Sequence, residues 1–594
     1  MFCKRKSLIF STILCILAVT AQGCARWQAA GVERLGVAPI ENLSSDAQLN
    51  WRSRAAAAVV VYDLAGAKNT FATQTDSLSA AQSMHASRLL EGYFFERNDR
   101  IGIRATLEDL GSAKVVGSFE VDGAASAGFL PMANELARRL SKDARAFGTS
   151  NENAFRFYGE ALAGRDRQTV ERALEQATDA DPRFAAGYVK QAKMLAETGD
   201  LQRARQVVES GQRAPTDAID RANLEYVAAT AAGDTTERIK ALELLATATP
   251  ANANVFTELG GMRFARREFP RAAMEYRAAA HLNPDEPRTW NELGYALAWA
   301  KDLSGAREAL AQYQKLEPGA ANGFDSEGEV SYMRGDFKSA SEYFERAGAK
   351  NPEELLKAAE ARLMMDDLRG ADALFAKHLG PSASVQRGAG YQMAQWETLT
   401  GRRKAGLGRM EKLATEAKGD FQSLAFSQLA IWKLEEGDRK AATDLANQAA
   451  ARAESPQVRK IGEGCRYVAA GEAGGSGSKI VDALTLLFAK KYGEALPLLQ
   501  ALYGETSPSS DGQVRTLLAW AYVETGAIDK AAPLLDAYPL PLSSGEALFA
   551  SLIFPRYLFL RGTVLRREGK RDEASNTFQL YSKYRGGDQI GTTE

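Results

Sequence analysis

Residues 250–351 divide into three consecutive stretches of equal length: PANANVFTELGGMRFARREFPRAAMEYRAAAHLN (250–283), PDEPRTWNELGYALAWAKDLSGAREALAQYQKLE (284–317) and PGAANGFDSEGEVSYMRGDFKSASEYFERAGAKN (318–351). Pro250, Pro284, Pro318 and Pro352 stand 34 residues apart, and Phe256, Trp290 and Phe324 repeat that spacing. So do Gly260, Gly294 and Gly328, Ala272, Ala306 and Ala340, and Tyr276, Leu310 and Phe344. Self-similarity at such a period marks a stacked array of supersecondary units. Two antiparallel helices approach closely only where small residues face each other, which Gly294 and Ala306 provide. Trp290, Leu293 and Leu297 put an apolar stripe on the first helix, and KDLSGA (301–306) and GDFKSA (335–340) break and restart the chain. Proline then stops the second helix. Asn351-Pro352-Glu353-Glu354 predicts an N-cap, a proline at the first helical position and acids at the positive dipole end, so these glutamates are assigned to capping rather than to an acid/base pair.

The large-x-x-Leu-Gly opening, central alanine, later aromatic and final proline resemble the tetratricopeptide repeat, clearest over 253–354. The resemblance implies a mainly α superhelical solenoid. Its turn signature persists as GDLQRA (199–204), DDLRGA (366–371), GDRKAA (437–442), KKYGEA (490–495), GAIDKA (526–531) and GKRDEA (569–574), giving ten to twelve hairpins over 151–584. Outside the three clear frames the phase is expected to slip, with 155–182 and 219–250 as divergent members. GEAGGSGSK (471–479) is read as a hinge between an array at 151–470 and a C-terminal block at 480–584. It imitates a phosphate loop, but Ser478 and Ile480 stand where glycine and Ser or Thr are required.

Upstream, RLGVAPI (34–40) alternates like a strand and AQLNWRSRAAAAVVVYDLAG (47–66) carries a helical stripe. SRLLEGYFFER, RIGIRATLEDL and KVVGSFEVD then predict three sequential antiparallel strands, and PMANELARRLSKDARAF (131–147) a helix covering one sheet face. This order over residues 32–147 resembles the TolB amino-terminal-like domain, which implies a non-enzymatic interaction module of the cell envelope. The fold class is therefore mainly α: a solenoid preceded by a small α/β domain with a mixed or antiparallel sheet.

Lys4, Arg5 and Lys6 precede an apolar run, Leu8 to Val19, too short to span a bilayer as a helix, so residues 1–23 read as a signal peptide. TAQGC (20–24) resembles the lipobox of bacterial lipoproteins, which implies lipidation of Cys24, a tether at 24–31, and, from Ala25 after the cysteine, a periplasm-facing outer-membrane location. Ordinary signal-peptidase cleavage is the alternative. Losing Lys4, Arg5 and Lys6 leaves 71 basic against 75 acidic residues, a net charge of −4 that recommends no nucleic-acid partner. Three histidines and four cysteines leave too few soft ligands for a structural metal, and no metal or other cofactor is expected. Cys465 is predicted to be a small buried side chain.

By resemblance to other tetratricopeptide proteins, the first helices line an inner groove that takes an extended peptide or partner helix. The positions so implied are Asn254, Phe264, Arg288, Asn291, Tyr295, Trp299, Asn322, Asp325, Glu329 and Tyr332. Asparagines can bond a peptide backbone and aromatics supply anchoring area, a mixture suited to binding rather than chemistry. The lysine–asparagine clamp for a C-terminal carboxylate is missing, with Thr257 and Gly261 at its first positions. The expectation is a non-enzymatic adaptor of the bacterial envelope, lipid-anchored, with a protein or peptide in the groove. The alternatives are a regulator or envelope-biogenesis factor whose α/β domain binds a small molecule, and an enzyme with a site split between domains.

Overall fold

The computed structural model describes residues 31–585 except 45, 381–386 and 543–546. The signal peptide, Cys24 and the tether as far as residue 30 lie outside the described residues. The chain divides into two units, one of residues up to Arg263 with Arg271–Trp290, the other of Phe264–Pro270 with the residues from Asn291 on. No helix among the described residues is long and apolar enough to cross a membrane.

The first unit opens with strands β1 (Glu33–Val37), β2 (Glu41–Asn42), β3 (Thr70–Gln74), β4 (Arg88–Arg97), β5 (Arg100–Asp109) and β6 (Lys114–Ala124), in the order β3-β1-β4-β5-β6, with β2 beside β4. β4, β5 and β6 form the expected antiparallel meander, Phe94 opposite Ile103 and Ile103 opposite Val121. β1 runs parallel to β3 and β4, so the sheet is mixed. The sequence did not announce β3: its five residues, TFATQ, are too short to establish a period.

Helix Trp51–Leu64 is buried from Ala55 through Val60 without a break, on every side rather than along one stripe. A helix apolar all round needs cover on more than one face. One face meets the sheet. Another meets helix Glu152–Ala163, where a Cβ at Gly159 would stand 2.6 Å from the Trp51 ring and 2.9 Å from Ala55. A single core thus runs from Leu35 and Val37 through Phe129 and Phe155 to Leu174 and Phe184. The helix expected at 131–147 ends at Leu140, where Ser141 turns extended (φ −147°, ψ 135°). The chain then brings Phe147 among Tyr62, Phe155, Tyr158 and Phe184, with ring centroids 5.0 to 5.9 Å apart.

Arg145 ties this domain to helix Ala218–Ala232. Its guanidinium lies 3.6 Å from the centre of the Tyr62 ring, its Nε donates to the Tyr62 carbonyl at 2.9 Å, and it pairs with Asp217. Tyr62 in turn donates from its hydroxyl to Asp220 Oδ2 at 2.5 Å.

The hairpins explain the repeat. A Cβ at Gly260 would come within 3.0 Å of Tyr276, at Gly294 within 2.7 Å of Leu310, and at Gly328 within 2.5 Å of Phe344. The glycine and the large residue that recur in sequence are one packing pair, and Gly562 against Phe578 at 2.8 Å repeats it near the end of the chain. The expected loss of phase before residue 250 does not occur. Second helices begin at Arg167, Leu201, Thr235, Phe269, Leu303 and Phe337, 34 residues apart each time. The side chains of Asp166, Asp200, Asp234, Asp302 and Asp336 cap five of them. Slippage is confined to the far side, where second helices start at Leu368, Arg403 and Arg439.

In the second unit one core extends from Tyr332 to Tyr584 and includes Cys465, 2% exposed, beside a smaller cluster around Met410 and Trp432. The stretch 471–479, expected to be a hinge, lies between two helices of this core. Helices Pro456–Ala470 and Lys479–Phe488 contribute to the same core, and the loop between them is pinned by Gly474 N–H and Ser476 Oγ, both donating to Asp482 Oδ1 at 3.0 and 2.8 Å.

Candidate functional site

Within the second unit a cavity of about 280 Å³ opens between first helices and the C-terminal block. Tyr295 and Trp299 come from helix Pro287–Trp299, Glu329, Tyr332 and Met333 from Ala321–Met333, and Lys357 from Leu355–Met364. The opposite wall is Pro508 to Ser510, Gly512, Arg515 and the stretch Tyr538–Leu540.

Repeat spacing brings these side chains together. Tyr295 and Glu329 occupy the same position in successive frames, and the Tyr295 hydroxyl donates to Glu329 Oε2 at 2.7 Å. Lys357 donates to Asp325 Oδ1 and Oδ2 at 2.7 and 2.9 Å and to Glu329 Oε1 at 2.8 Å, and it lies 3.1 Å from Glu354 Oε2. One ammonium thus serves three carboxylates. Burial, then the neighbouring Glu329 charge, pushes the Asp325 carboxyl up to about 7. Burial alone would pull Lys357 down, but Glu329 and Asp325 hold it above its ordinary value. Burial and Glu329 also raise the Tyr295 hydroxyl. Asn351 caps the turn at Pro352–Glu354 as expected, while Glu354 additionally joins the Lys357 cluster.

The far wall carries its own charge set. Arg515 donates from Nε to Asp511 Oδ1 at 2.5 Å and from Nη1 to the carbonyls of Leu534 and Ala537 at 2.8 and 3.1 Å. Its guanidinium lies 5.3 Å from the centre of the Trp299 ring, which stacks on Phe269 at 5.2 Å. Arg267 holds the other Asp511 oxygen at 2.9 Å and lies over Tyr503 at 3.7 Å.

Of the ten residues assigned to the groove, Tyr295, Trp299, Glu329 and Tyr332 line the cavity. Asp325 stands behind it through Lys357. Phe264 packs edge-on against Phe269 at 5.4 Å, one ring removed from Trp299. Asn291 and Asn322 do not line it; Asn322 donates to the Tyr313 hydroxyl at 3.0 Å. Asn254 and Arg288 are exposed and belong to the first unit. Sequence reasoning missed Lys357, whose frame follows a shortened second helix, and missed the wall from 508 to 540, whose long-range return leaves no periodic signal.

The cavity joins aromatic surface to ion pairs that bond one another. A tetratricopeptide-repeat family model matches residues 158–218 and 262–321, and a second one residues 486–552. No curated protein matches the chain. Among solved structures, YrrB, described as a TPR protein with an unusual peptide-binding site, is 21% identical with a TM-score of 0.29, covering 32% of this chain and 96% of its own. The C-terminal part of a TPR repeat-containing protein from Cytophaga hutchinsonii is 17% identical, TM-score 0.33, covering 40% and 95%. The Naa15/Naa10 complex bound to HypK is 13% identical, TM-score 0.32, covering 73% and 68%. With the glycine and its large partner recurring in register and family matches across and beyond these pairs, this is a protein containing tetratricopeptide repeats, preceded by a small mixed-sheet α/β domain.

Proposed function

We propose that the chain is a non-enzymatic adaptor of the bacterial cell envelope, tethered through a lipidated Cys24, whose repeat array holds a partner protein while the α/β domain docks a second component. The observation that carries the binding role is the convergence of Tyr295, Trp299, Glu329 and Tyr332, from successive first helices, on one cavity. Tyr295, Trp299 and Tyr332 are large amphipathic side chains of the kind that dominate protein interfaces. The ionisable groups beside them are engaged with each other, Glu329 with Tyr295 and Lys357, which suits a rigid recognition surface better than proton transfer. The envelope assignment is supported by the signal-like amino terminus and the TAQGC stretch.

A photo-cross-linking residue at Trp299, introduced into the full chain in intact cells, tests the adaptor role. A discrete cross-linked protein that is lost when the residue is moved to exposed Met274 supports it; an identical pattern from both positions overturns it. Replacing Cys24 by serine is expected to release the protein from the membrane fraction.

A second reading, in which the first unit senses a small molecule, draws on a separate cavity of about 670 Å³. It is lined by Asn134, Phe147 to Glu152, Asp181 and Arg183. Asn134, Asn151 and Glu152 there are already bonded to protein, Asn134 to Leu130 and Phe147, which favours the adaptor.

A further inference from the structure

One wall of the groove is a proline-containing piece of the chain outside any helix or strand. Past Asp536 the sequence reads Ala537-Tyr538-Pro539-Leu540-Pro541-Leu542; residues 538–540 are neither helix nor strand, and 541–542 turn the chain. Pro539 and Pro541 carry no N–H and fix φ, which favours the extended left-handed conformation that proline-rich ligands adopt before they bind. Two of the non-proline amides are used: Tyr538 N–H donates to the Met333 carbonyl at 3.0 Å, and Leu542 N–H donates to the Glu360 carboxylate. The Tyr538 ring meets Phe337 edge-on at 5.0 Å and Tyr557 at 5.7 Å, with the Arg561 guanidinium 4.4 Å from its centre. Pro539 and Leu540 face the same cavity as Trp299 and Tyr295. Aromatic surface for the side chains and main-chain bonds to the non-proline amides are how a groove holds an extended, proline-containing peptide.

We propose that this groove recognises in its partner an extended segment of aromatic-Pro-aliphatic-Pro-aliphatic character, and that residues 538–542 occupy it as an intramolecular competitor. The proposal rests on the adaptor reading and gives its partner a chemistry. The open volume beside Tyr295, Trp299, Glu329 and Lys357 is the room into which a longer incoming chain extends. A tethered competitor lowers apparent affinity by the fraction of molecules in which the groove is free, so binding answers to whatever dislodges the segment.

The test uses the full chain and a labelled synthetic peptide of sequence DAYPLPLS, that of residues 536–543. Hydrogen exchange on the wild-type protein is expected to show faster exchange at the Tyr538 and Leu542 amides when the peptide is saturating. Y538A is expected to bind the peptide at least about tenfold more tightly than wild type, and W299A in that background to lose the gain. If Y538A is misfolded by circular dichroism, the wild-type exchange decides. Peptide binding with unchanged exchange at 538–542, equal affinity of wild type and Y538A, or binding by neither overturns the proposal. So does a peptide-insensitive dimer in sedimentation, which would assign the groove to the segment of a second copy. A partner cross-linked from position 299 that the peptide fails to displace sinks the partner chemistry and leaves the adaptor reading standing. Peptide binding without any Trp299-dependent partner in cells does the reverse.

Discussion

The main-chain N–H of Tyr538 donates to the carbonyl of Met333 at 3.0 Å, so a non-helical stretch of the C-terminal block forms one wall of a first-helix groove. Arg515 fixes that stretch through the carbonyls of Leu534 and Ala537. Lysine retains the charge but not the planar fork, so R515K is expected to leave at least one buried carbonyl unbonded and to cost about 2 kcal/mol, read as a lower urea midpoint. An unchanged midpoint would mean that the stretch is held by its side chains alone.

Gly328 and Lys490 should respond in opposite directions. Alanine at 328 adds a Cβ 2.5 Å from Phe344 and is expected to destabilise by about 1–3 kcal/mol. Lys490 ends the turn after helix Lys479–Phe488 with φ +58°, a conformation that costs a side chain energy, so K490G is expected to stabilise by roughly 0.5–1 kcal/mol. Thermal melts of the two variants check both signs.

Asp63 is fully buried, with no hydrogen-bond partner for either carboxyl oxygen, and burial pushes it up to about 8 despite Arg145 and Arg138. A carboxyl raised on folding costs nothing below its unfolded value of about 4; the cost grows as pH rises and levels off above the folded value. D63N is therefore expected to be more stable than wild type at pH 8, by about 2–5 kcal/mol, with the difference vanishing near pH 4. Urea midpoints across that range measure it, and a constant difference would contradict the assignment.

Arg145 joins the α/β domain to the helix at 218–232 through Tyr62, Asp217 and Asp220. R145M leaves the buried Asp220 without its nearby cation, an expected loss of about 3 kcal/mol. Hydrogen exchange should accelerate over both 51–64 and 218–232 in this variant. Acceleration in one of them alone would mean that the two elements are stabilised separately.

The array was legible because its signal is mechanical: Gly294 and Gly328 are glycines since Leu310 and Phe344 rest on them. A second signal, Asp166, Asp200, Asp234, Asp302 and Asp336 at the repeat spacing, extends the register back to the α/β domain. Search by apolar positions passes over it, because a cap needs only one acid ahead of each second helix. The meander was legible from its alternation. What escaped were non-local relationships: helix Trp51–Leu64 shared between sheet and hairpin, and Lys357 and Tyr538 entering a cavity begun by Tyr295 and Trp299. Such pairings obey no period, so four of the ten assigned groove residues line the cavity, while ten of its fourteen lining residues went unforeseen.

Calorimetric affinity of the cross-linked partner for the purified chain tests the central claim most directly. Binding through the first-helix cavity predicts that W299A weakens the complex by about 10- to 100-fold, while M274A, on an exposed second-helix position, leaves it unchanged. Undiminished affinity in W299A together with a loss in M274A would contradict it.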